Sequence, residues 1–154
     1  MRQEIRDAVR LAFDAQCGYC GVSEIDVGAR LTVDHFRPVA HGGTDDFDNL
    51  VYCCSMCNTF KIDYFDTDPD RALLHPKRDN VTIHYVESIA HVLVALTERG
   101  REHIAVLHLN RLELVSRRQR NHRERDRDAV LRDLTERFGG LEAEIRRLQD
   151  RLNR

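Results

Sequence analysis

The chain has 154 residues, of which 42% are hydrophobic, 32% charged and 6% aromatic, with no tryptophan. That length supports one domain with an appendage and a small core, and no apolar run approaches a membrane span. A formal net charge of −2 argues against a strongly basic nucleic-acid binder, yet the charge is uneven: residues 1–80 carry 9 basic and 14 acidic side chains, residues 81–154 carry 15 and 12.

In chain order, Arg2 to Gln16 reads as a helix, because Ile5, Val9, Ala12 and Phe13 recur at helical spacing and make one apolar face. It delivers Cys17-Gly18-Tyr19-Cys20, a first Cys-x-x-Cys knuckle. Ser23 to Arg30 is a connector in which Gly28 suggests a turn. Leu31-Thr32-Val33 is β-prone and leads into Asp34-His35. The strand ends at Arg37-Pro38, since proline cannot donate to a ladder. His41-Gly42-Gly43-Thr44 supplies a turn. Asp48-Asn49-Leu50 opens a second short strand, Leu50-Val51-Tyr52, which runs to Cys54-Ser55-Met56-Cys57. Asn58 then stands near the start of a helix through Ile62.

The cysteines carry the first chemical inference. A two-residue gap lets both thiolates of a pair reach one tetrahedral ion, and two such pairs, Cys17 with Cys20 and Cys54 with Cys57, complete a four-sulfur structural zinc shell. Free core thiols or a redox pair are the competing reading. The absence of a secretory signal, together with thiolates available for metal, points to a reducing cytoplasm. The fifth thiol, Cys53, could replace Cys54 as ligand, but Cys54 has the matching gap to Cys57, and Cys53 reads rather as a small buried hydrophobe. The long loop between the pairs requires a folded element inside it.

That element, Leu31 to Asp63, resembles the HNH endonucleases, whose ββα-metal core has Asp-His on its first strand, Asn in the loop, and His or Asn on the helix. Asp34-His35, Asn49 and Asn58 stand at those positions, framed by the two zinc pairs. The resemblance covers Cys17 to about Asp63. It implies a metal-dependent endonuclease with His35 as general base, a residue type whose proton affinity suits that task near neutrality. Asp34 and Asn58 would hold the catalytic cation, and an all-oxygen pair suits Mg²⁺ or Mn²⁺. Asn rather than His at the last position weakens the case for catalytic Zn²⁺ or Ni²⁺. Asn49 would tie the loop by side chain to backbone bonds. Products with 5′-phosphate and 3′-hydroxyl ends are implied in the same way. Lys61, three residues after Asn58, shares its helix face and reads equally as a phosphate contact or as a solvated lysine.

Downstream, Tyr64 to Pro69 is a polar loop and Asp70 to Leu74 a helical turn. Leu74 to Asn80 is turn-rich, with His75, Lys77 and Arg78 either facing phosphate or solvated. Val81 to Val86 and Ile89 to Leu96 read as a hairpin. Certain bacterial HNH proteins carry a similar tail: a His-Pro segment, a hairpin, Leu-Thr-x-x-Gly-Arg and a helix. Here that is His75-Pro76 and then Leu96 to Arg101. From Arg101 the period turns helical. Arg111 to Arg127 holds 7 arginines against 3 acids, and Arg117, Arg118 and Arg120 are the candidates for phosphate contact. A solvated helix laced with ion pairs is the alternative. Asp128 to Phe138 continues the helix, Gly139-Gly140 is expected to break it, and Leu141, Ile145, Leu148 and Leu152 make a short coiled-coil seam.

The expectation is therefore an α+β chain: a zinc-stapled ββα-metal core with an N-terminal helix, a second small β-hairpin and a C-terminal helical extension. Residues 1–80 would be the nuclease domain and 81–154 the extension. The expected partner is DNA, with RNA still open and no membrane. The extension suits a homodimer or docking on a larger ATPase or nucleic-acid-guided complex, as in bacterial antiviral or mobile-element systems. The runner-up is a non-catalytic zinc module that binds nucleic acid or protein.

Overall fold

The computed structural model describes residues 3–153. The chain forms two compact units, 1–115 and 116–154. The first opens with α1 (Gln3–Ala12), whose apolar side lays Val9 against Leu50 and Tyr52, with Ile5 and Phe13 packed alongside. Full burial of Val9 contributes roughly 2 kcal/mol. The helix ends four residues earlier than its periodicity suggests. Asp14 and Ala15 both take the left-handed conformation, and the Ala15 amide closes back on the Arg10 carbonyl at 3.0 Å. That reversal brings Cys17 round to the sheet. Arg2, expected in this helix, lies outside the described residues.

The connector holds one short helix, α2 (Glu24–Val27), started by a reciprocal Ser23–Asp26 capping box and stopped by Gly28. Glu24 forms a two-point ion pair with Arg10, at 2.7 and 2.6 Å, and also accepts from Tyr52 Oη. These partners, Arg10 foremost, hold the Glu24 carboxyl down at about 2.

Strands β1 (Thr32–His35) and β2 (Leu50–Cys53) pair antiparallel, with Asp34 opposite Val51 and His35 opposite Leu50. Every residue of β2 is buried. Its alternation divides the core: Leu50 and Tyr52 face α1, while Val51 and Cys53 join Cys17, Tyr19, Cys54, Cys57, Leu107, Leu109 and Leu114. The helix α3 (Ser55–Lys61) follows directly, completing a strand, loop, strand, helix unit.

A second hairpin, β3 (Tyr85–Glu87) with β4 (Leu93–Ala95), is shorter than its sequence suggests, because Val81–Ile83 winds into a 3₁₀ turn and Ile89 is fully exposed in the connection. The helical turn expected at residues 70–74 forms slightly earlier, the Arg71 and Ala72 amides both bonding the Asp68 carbonyl. The next helix, α4 (Glu98–Val106), begins three residues before the expected point, since the Thr97 side chain caps it by accepting from the Gly100 amide.

Helix α5 (Leu112–Leu152) runs 41 residues without interruption. The expected break at Gly139-Gly140 does not occur. Two glycines cost about 1 kcal/mol each relative to alanine, and the strong helix formers flanking them keep the chain helical. The apolar seam is correspondingly longer: Leu131, Leu134, Phe138, Leu141, Ile145, Leu148 and Leu152 alternate three and four apart, all of them exposed. Among the described residues, no helix is long and apolar enough to cross a membrane.

Candidate active site and zinc centre

The four paired cysteines come together. One Sγ from each of Cys17, Cys20, Cys54 and Cys57 lies within 4.8 Å of all the others, and no disulfide joins them. The Cys20–Cys54 separation is 3.7 Å. A tetrahedron with metal–sulfur bonds of about 2.3 Å has edges of about 3.8 Å, so the donor set fits zinc. The fold builds this shell locally. Cys54 caps α3 by accepting the Cys57 amide at 3.4 Å, and the first knuckle docks on β2 through the Gly18 amide to the Tyr52 carbonyl at 2.8 Å. Arg111 adds a guanidinium 3.9 Å from Cys57 Sγ, a cation suited to excess thiolate charge. Cys53 is not one of the four clustered sulfurs and is fully buried; burial first, and the nearby Asp34 charge second, push its thiol up.

His35 ends β1 at the edge of this core with its side chain about a quarter exposed, and its Nε2 lies 2.7 Å from Asp45 Oδ1. The loop that follows is fixed by Asn49. Its side-chain oxygen accepts the Arg37 amide at 2.9 Å, and its nitrogen donates to the carbonyls of Arg37 at 3.1 Å and Thr44 at 2.9 Å. Two glycines make this closure possible. Gly42 adopts φ +80°, and a Cβ on Gly43 would stand 1.8 Å from the Arg37 carbonyl oxygen.

Asp34 is half-sequestered. Both of its bonds fall on Oδ2: Lys61 Nζ at 3.0 Å and Tyr19 Oη at 3.2 Å. Lys61 also donates to the His35 carbonyl at 2.8 Å, and its side chain is completely buried. Lys61 thus neither faces solvent nor reaches outward toward phosphate; it straps α3 to β1. Asn58, half-buried one turn before Lys61, belongs to the helix that this strap holds against Asp34 and His35.

Comparison with known proteins matches residues 17–63 to the HNH endonuclease family model. Residues 17–63 are an HNH endonuclease domain. The chain is also 26% identical over 137 residues to the Septu protein PtuA of Bacillus mycoides (strain KBAB4), an alignment that covers 69% of this chain. It spans only about a fifth of that relative's length (19%). No solved structure matches.

Around the HNH domain, segment 72–80 acts as a buttress. His75 is buried with its Nε2 3.2 Å from the Asp48 carbonyl, and Arg78 donates to the same carbonyl at 2.8 Å. Burial, more than any charge, lowers the His75 proton affinity. Lys77 donates to the Ala12 carbonyl. Arg99, from α4, clamps the segment by binding the carbonyls of Ala72 and Leu73 and the carboxylate of Asp79, at 2.8–3.2 Å. Sequence reading missed Arg99, Arg111 and Asp45. Arg99 and Arg111 lie outside the motif, and one acid in the run Asp45-Asp46 does not stand out from its neighbour. Of the three candidate phosphate contacts on α5, Arg117 and Arg118 are half-buried and Arg120 is exposed.

Proposed function

We propose that the chain is a metal-dependent endonuclease that hydrolyses phosphodiester bonds in DNA. The reading is carried by one juxtaposition inside the HNH domain: an accessible histidine at the end of β1, with the α3 helix that bears Asn58 strapped to the same strand end. His35 takes the proton from a water attacking phosphorus, and Asn49 holds the loop beside it in register. Asp34 and Asn58 would hold Mg²⁺ or Mn²⁺. The donors are hard oxygens, and Asp34 keeps one oxygen clear of Lys61 and Tyr19. When bound, the cation supplies charge stabilisation on the phosphate and on the departing oxygen. Lys61 contributes by fixing the Asp34 carboxylate rather than by touching substrate. Arg117, Arg118 and Arg120 are the phosphate contacts in this reading, and the exposed seam of α5 is the surface on which a second copy or a larger ATPase or nucleic-acid-guided partner would dock. The matching segment is a small part of a much longer Septu protein, which supports a nuclease module that works beside other parts.

One observation favours a second reading, a non-catalytic zinc module: a lysine ammonium already neutralises Asp34. Plasmid cleavage with Mg²⁺ or Mn²⁺ separates the two. Metal-stimulated nicking by the wild type that is lost in His35→Ala is expected. Equal rates in the two proteins would remove His35 as base, and no cleavage with zinc still bound would favour the binding module.

A further inference from the structure

A histidine has two ring nitrogens, and a general base uses only the one that lacks a proton. Which nitrogen that is depends on the partner of the other. In this chain the partner is a carboxylate: Asp45 Oδ1 lies 2.7 Å from His35 Nε2. A carboxylate only accepts, so the short contact assigns the proton to Nε2 and leaves the lone pair on Nδ1.

The contact is built by the loop. Asn49 pins the Thr44 carbonyl at 2.9 Å, one peptide before Asp45. The next residue, Asp46, is tied back by Thr44 Oγ1 at 2.6 Å and so turns away from the imidazole. Asp45, whose carboxyl is held below its ordinary range chiefly by the His35 hydrogen bond, is otherwise an exposed loop acid.

We propose that Asp45 is the positioning residue of His35: its carboxylate fixes the imidazole in the Nε2–H tautomer and presents Nδ1 as the basic nitrogen. The proposal rests on the reading of His35 as general base and adds the group that aims it. It also gives the Asn49 staple a purpose, since the same loop closure carries the carboxylate to the ring.

The test uses the full zinc-loaded chain, with Asp46→Ala as a neighbouring control. In Asp45→Ala, kcat for plasmid nicking falls about tenfold or more while KM stays within about twofold, the pattern of a lost orienting group rather than lost binding. Asp46→Ala keeps the wild-type rate. Nitrogen-15 spectra of the His35 ring, which need no activity, show a protonated Nε2 in the wild type and a mixture of tautomers in Asp45→Ala. An unchanged tautomer in Asp45→Ala, or an equal loss of rate in both variants, overturns the proposal. If the wild type does not cleave at all, the nuclease reading falls and the nitrogen spectra alone decide whether Asp45 sets the ring.

Discussion

Lys61 offers the sharpest test of how the domain is held together. Its side chain has no exposed surface, and the Asp34 carboxylate it meets is only 11% exposed. Lys61→Met keeps most of the buried stem and deletes the ammonium, which leaves Asp34 with Tyr19 as its remaining side-chain partner. Removing one member of a buried pair costs about 3–5 kcal/mol, and the slight exposure of Asp34 places the expected loss near the lower end. Asp34→Asn strands the ammonium instead, at a similar cost. Because each single change leaves the other member of the pair buried without its ion partner, and the double change leaves neither, the double variant loses less than the two singles together, by about 2 kcal/mol or more. Urea unfolding of the zinc-loaded chain measures this. All four tyrosines lie in the unit 1–115, so tyrosine fluorescence follows that unit alone. A Lys61→Met protein within about 0.5 kcal/mol of wild type, or strictly additive effects, would show that the strap is not what binds α3 to β1.

Three further outcomes follow from the geometry. Chelation of zinc, or Cys57→Ser, unfolds the unit 1–115, because the four sulfurs join segments 37 residues apart at the centre of its core; metal analysis gives about one zinc per folded chain, and retention of tyrosine fluorescence after complete zinc removal would refute this. His103 is buried, accepts the Leu74 amide at Nδ1 and is held at about 3 by desolvation. The unfolded chain therefore takes up that proton first, near pH 6.5; its contribution is complete above that pH and declines as pH falls toward about 3, so His103→Asn flattens the dependence of the urea midpoint between pH 7.5 and 5. Gly139→Ala and Gly140→Ala meet no atom within 4 Å of the added carbon and raise the helical stability of α5 by about 1 kcal/mol each, read from the far-ultraviolet melting curve; lower helicity would mean that the glycines serve a bend.

The four-cysteine and ββα part of the molecule is legible because its chemistry is written in short spacings. The two Cys-x-x-Cys gaps, the β-prone run before Asp34-His35 and the Gly-Gly turn each state a local geometry, and the structure assembles them as one unit. What stayed hidden depends on distant partners. Nothing local distinguishes Lys61 from a solvated lysine; its burial follows from Asp34, 27 positions earlier. Arg99 finds Asp79 and the 72–73 carbonyls only once α4 is docked. The edges of elements were misjudged where one residue outweighed periodicity, as with Asp14 and Ala15 at the end of α1 and Thr97 at the start of α4. Gly139-Gly140 failed in the opposite sense: a local penalty of known size was too small to interrupt a helix of this length.

The adjacent thiols Cys53 and Cys54 have one more consequence. A strand reading Leu-Val-Tyr-Cys-Cys is apolar on both sides, so hydrophobicity alone would tolerate a shift of one step along β1. Such a shift turns Val51 and Cys53 from the cysteine side of the sheet to the α1 side, and carries Cys54 away from the place where its sulfur meets Cys17 and Cys20. The native pairing, which sets His35 opposite Leu50, is the one that gathers the four sulfurs within reach of a single ion.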